Sequence, residues 1–88
     1  MAKKYSEVEI TKTSKIIDHV FEGDKCKIVV QGTSINELAE PAVKKAVYEY
    51  RNQIGASHMA LNDFKPQGTE ITDDGPVATG HWMLIAKL

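Results

Sequence analysis

Three histidines, one cysteine and one tryptophan are the side chains through which this 88-residue chain could work on a ligand. His19, His58 and His81 titrate nearest neutral pH and suit proton transfer. If the segments around His58 and His81 pair as a hairpin, both imidazoles lie on strands of one sheet near Asp63, the start of a general-base pair or a two-histidine metal site. Their spacing argues against it. No two histidines stand one helical turn apart, and histidines on strands serve more often as half-exposed sheet residues. Cys26 stands between Lys25 and Lys27, whose charges would activate an exposed thiol, whereas a strand with its lysines turned outward buries the sulfur; the second arrangement is the commoner. Trp82 offers a ring on which an aromatic ligand could stack, set against the ordinary role of a core aromatic. Glu70, Asp73 and Asp74 lack the alternating ligands and central glycine of a calcium loop, and read as turn residues. Nucleophile elbow, phosphate-binding glycine loop and paired catalytic carboxylates are missing from the sequence. These residues name no catalytic set, no metal and no cofactor.

Charge and length narrow the partners. Eleven Lys plus Arg oppose twelve Asp plus Glu, and the acids interleave with the lysine pairs. Arg51 is the only arginine, so the basic, arginine-bearing face of a nucleic-acid binder is not expected. The lone cysteine excludes an intramolecular disulfide framework and any multi-cysteine zinc site. The stretch after Met1 does not resemble a signal peptide, and the longest wholly apolar run is Trp82 to Ala86, too short to span a membrane. A single domain, residues 1–88, in a reducing cytoplasmic compartment is the expectation.

The elements that must position these residues follow from periodicity. Ile35, Leu38, Ala39, Ala42, Val43, Ala46, Val47, Tyr50 and Ile54 recur at helical spacing, with Ser34 and Glu37 as a capping box and Gly55 as the stop. Pro41 cannot donate to the carbonyl of Glu37, so one long helix over 35–54 must kink or restart there. On either side the period changes to two. Lys25 to Gln31, Ser57 towards Phe64, and Val77 to Leu88 read as strands, and Tyr5 to Thr11 as a further one. Residues 14–22 fit both templates, with the β-branched content favouring strand. Pro66, Gly68 and Asp73-Asp74-Gly75-Pro76 predict a long mobile loop over 65–76 that joins the last two strands. Gly55-Ala56-Ser57-His58-Met59 resembles the remnant of a cleaved tag, yet it lies between a helix end and a strand, where its chemistry suits a native junction.

The last strand carries apolar residues on both faces. Trp82, Leu84 and Leu88 point one way while Val77, Met83 and Ile85 point the other, and one helix covers only one side of a sheet. Exposing Met83, Ile85 and a valine together would create a patch that monomers seldom show to water. Homo-oligomerisation through that second face is the economical solution, unless residues 14–22 form a second helix over it.

The order strand, Gly32-Thr33-Ser34, alanine-bearing helix, strand, long final strand resembles the dodecins and other dodecin-like β-α-β-β proteins over about residues 26–88. That resemblance implies a curved antiparallel sheet wrapped on one helix, and it implies oligomers. With the strands read above, the expected fold is α+β, an antiparallel sheet of four to five strands packed on one long helix, a dodecin-like β-α-β-β core with an N-terminal strand extension. The dodecins stack flavin on a tryptophan in the strand after the helix. Here Ser57 to Leu61 holds no aromatic residue and Trp82 lies on the last strand, so flavin is not carried over.

The function expected is a small non-enzymatic, homo-oligomeric, cytoplasmic binding module, with His58, His81, Trp82, Met83 and Ile85 as the residues that contact a small-molecule ligand or partner. Two alternatives stand beside it: an adaptor or inhibitor that docks a larger protein through the exposed strand or the 65–76 loop, and a small enzyme using His58 and His81.

Overall fold

A computed structural model describes residues 8–86. It is an α+β fold: β1 (Val8–Glu9), β2 (Lys15–Glu22), β3 (Lys25–Gly32), α1 (Ile35–Leu38), α2 (Pro41–Gln53), β4 (Met59–Thr72) and β5 (Gly75–Ala86). The five strands make one sheet in the order β1-β2-β3-β5-β4, antiparallel throughout. Residues 14–22 are thus largely strand, as their β-branched content favours. The expected strand at Tyr5 to Thr11 lies partly outside the described residues, as do Lys87 and Leu88 of the expected last strand.

The helical stretch is two helices and not one. Ser34 accepts from the Glu37 N–H as N-cap of α1, the turn ends at Ala39, and Pro41 opens α2 at its first position, where a missing N–H costs nothing. Leu38 from α1 and Val43, Val47 and Tyr50 from α2 pack on Ile16, Cys26, Ile28, Val30, Trp82 and Leu84 of the sheet. Residues alternate strictly on β3 and β5, with Cys26, Ile28, Val30, Ala78, Gly80, Trp82 and Leu84 buried and their neighbours half-buried or exposed. Ala56 and Met59 belong to the same core, and Arg51 Nη1 donates to the carbonyls of Ser57 and Met59, so the segment 55–59 is built into the fold.

The expected mobile loop over 65–76 is instead a hairpin arm. β4 runs to Thr72 and β5 starts at Gly75, leaving Asp73-Asp74 as the turn. Pro66 is accommodated because β4 is an edge strand, where a residue without an N–H can face away from the ladder. Gly68, at φ 146°, follows a register shift between Pro66 and Gly68, a backbone state that other residues rarely adopt. Proline and glycine read locally as loop, and the pairing with β5 overrides them.

Candidate functional site

The sheet face opposite the helices is where most of the sequence-derived candidates meet. Antiparallel partners share a face, so register alone places the rows. One row crosses Asp18, Val29, His81 and Lys65; the next, Val20, Lys27 and Met83; a third, Glu22, Lys25, Ile85 and Ala60. The result is an apolar centre of Val29, Met83 and Ile85 rimmed by Lys25, Lys27, Lys65, Asp18 and Glu22. Among the described residues no helix or second sheet lies on it. Val20, at 41 % exposure, is left open at its side.

His81 stands within this face. Its Nδ1 is buried and has no hydrogen-bond partner. Desolvation, helped by the nearby Lys27 and Lys65 charges and opposed by Glu22, holds its pKa below the ordinary histidine value. The imidazole is therefore kept neutral on an apolar surface.

His58 is elsewhere. It is exposed in the turn before β4, beside a groove of about 470 Å³ between α2 and β4 that Lys44, Tyr48 and Arg51 also line. Met59 pairs with Ala86, five positions along β5 from His81 and about 17 Å at the rise of a strand, and His58 lies beyond that pair in the turn. Asp63 is no bridge between them, as its carboxylate lies 3.9 Å from Lys65 Nζ. Among the described residues no three His, Cys, Asp or Glu side chains are grouped to hold a metal.

Trp82 and Cys26 face the helices. The Trp82 indole N–H donates to the Leu38 carbonyl at 3.2 Å, and its ring meets Phe64 at a centroid distance of 5.2 Å. The buried indole thus belongs to the core side of the sheet, not to the face that carries His81, Met83 and Ile85. Burial raises the Cys26 thiol pKa, the opposite of what a nucleophile needs.

Two arrangements carry little sequence signal. His19 Nδ1 lies 2.9 Å from the Tyr50 hydroxyl, with the two rings edge to face. A register shift between Ile16 and Asp18 turns His19 to the helix side, a change that alternation cannot reveal. At the opposite end, Glu37 accepts from the Thr33 N–H at 2.8 Å, from the Thr33 hydroxyl at 3.0 Å and from the Thr13 hydroxyl. The Ser34-to-Glu37 spacing announced the cap, but only the fold brings Thr13 to it.

A second cleft, of about 460 Å³, opens at that end. β5 continues past the last residue of β3, since Gly32 pairs with Ala78 and the chain then turns into α1. The gap left beside Pro76 and Val77 is closed across the sheet by the β1–β2 turn, Thr11 to Ser14, where Thr11 and Ser14 hydroxyls bond at 2.6 Å. Lys12, Lys15, Glu9 and Gln31 line it.

Comparison with family models, with curated proteins and with solved structures finds no match to the chain. No described helix is long and apolar enough to cross a membrane.

Proposed function

We propose that the protein is a small non-enzymatic binding module that works as a homo-oligomer in the cytoplasm, its copies associating through the sheet face opposite the helices. The observation that carries this is the apolar centre of Val29, Met83 and Ile85 on a face without a covering layer among the described residues. The free edge of β4 is a poorer surface. Pro66, two register shifts and the outward Lys65 are devices that discourage strand addition, which leaves the face as the place to pair. The dodecin-like resemblance belongs to this proposal at the level of element order, without flavin. A small-molecule site would form where copies meet, with His81, Met83 and Ile85 at the contact.

Sedimentation equilibrium over a concentration series tests the reading. The chain is expected to self-associate at tens of micromolar, and Met83→Lys with Ile85→Lys to return it to a folded monomer, because two buried like charges in a symmetric interface repel. A monomer throughout would overturn the proposal and leave the same face for a different protein partner, the adaptor reading.

A further inference from the structure

We infer that the tip of the β4–β5 arm of one copy docks in the cleft beside Pro76 and Val77 of a second copy, an inference that rests on the homo-oligomeric reading. Beyond the Gly32–Ala78 pair no strand among the described residues lies on the arm's β5 side, so Pro76 and Val77 present that flank to the cleft. A two-stranded ribbon standing alone is marginally stable in water, and this one ends in Ile71, whose side chain is 79 % exposed. Between Gln67 and Val77 the arm carries Glu70, Asp73 and Asp74 and no lysine or arginine. Among the cleft's described lining residues Lys12 and Lys15 stand beside Glu9, and Glu70, which pairs with Val77, lies on the same open face as Lys15.

Position makes the contact reciprocal. Each arm tip lies next to its own cleft, so a two-fold axis that brings one tip to the partner's cleft brings the partner's tip back, closing the pair without a free end. Lys15, Gln31 and Thr79 share a row of the open face, so the cleft continues the surface through which the copies are proposed to associate. The arm therefore adds register and specificity to an apolar contact that has little of its own.

Charge exchange tests this. Chain X carries Glu70→Lys with Asp73→Lys, keeping Asp74, whose N–H donates to Thr72 Oγ1, and Gly75 in place; chain Y carries Lys12→Glu with Lys15→Glu, and Lys12→Glu alone serves as a variant outside the sheet. Circular dichroism verifies that each is folded. X and Y alone should dissociate with Kd values raised about tenfold or more, since like charges would meet in both contacts. Mixed, X and Y should pair with near wild-type affinity, because both contacts regain opposite charges. Wild-type affinity in X and in Y, or no recovery on mixing, overturns the arm contact. If Met83→Lys with Ile85→Lys still abolishes association in that case, the face reading stands alone; a monomeric wild-type chain overturns both.

Discussion

The indole of Trp82 reaches from the centre of β5 to the carbonyl of Leu38, 3.2 Å away, at the break between the two helices. Leu38 ends α1, so its carbonyl has no following turn to accept from, and a fully buried acceptor without a donor costs free energy. The tryptophan supplies that donor. Replacing it with phenylalanine keeps most of the apolar volume and removes only the N–H and part of the ring. Trp82→Phe should destabilise the fold by about 1–3 kcal/mol in chemical denaturation. Its self-association should be unchanged, because the indole lies on the opposite face from Met83 and Ile85; a loss of association with stability intact would contradict this placement.

Gly80 sits under the ring of Phe64. A Cβ built there would lie 2.5 Å from Phe64 Cζ and 3.0 Å from the Lys65 carbonyl oxygen. Gly80→Ala should therefore cost about 1–3 kcal/mol by overpacking, although alanine suits a strand better than glycine. Combining it with Phe64→Leu should give a double mutant less destabilised than the sum of the two single changes. Strict additivity in the cycle would show that the ring is not what the new methyl meets.

Acid should weaken the fold in two windows. Desolvation first, then Lys27 and Lys65, favour neutral His81, so the unfolded chain takes up the proton more readily. Its contribution is complete above the ordinary value of 6.5 and is lost as pH falls below it. At Glu37, desolvation pushes the carboxyl up, but the hydrogen bonds from Thr13, Thr33 and Ser34 outweigh it and lower the pKa. That contribution is complete above 4.5 and disappears as pH falls through the lowered value. Denaturation midpoints measured from about pH 7 to about pH 5 should decline, and His81→Gln should flatten this limb. Glu37→Gln should instead remove part of the decline at lower pH. An unaltered upper limb in His81→Gln would assign that window to another group.

The sequence alone determined the elements that depend on local chemistry. The 3–4 spacing from Ile35 to Ile54, the Ser34–Glu37 cap and Pro41 locate the helices and their restart, because caps and proline act within one turn. Alternation in Lys25 to Gln31 and in Val77 to Ala86 locates two strands and the two-sided apolar character of β5, since side chains on a strand must point alternately. Register was decided only by tertiary structure. The irregularity after Ile16 sends His19 to Tyr50, the ladder sets His58 beyond the Met59–Ala86 pair, five positions from His81, and pairing with β5 turns the Pro66–Gly68 segment from loop into strand. These outcomes depend on which residues, far apart in the chain, lie opposite one another. A one-residue shift reverses every face at no local cost, so nothing in the local sequence records it.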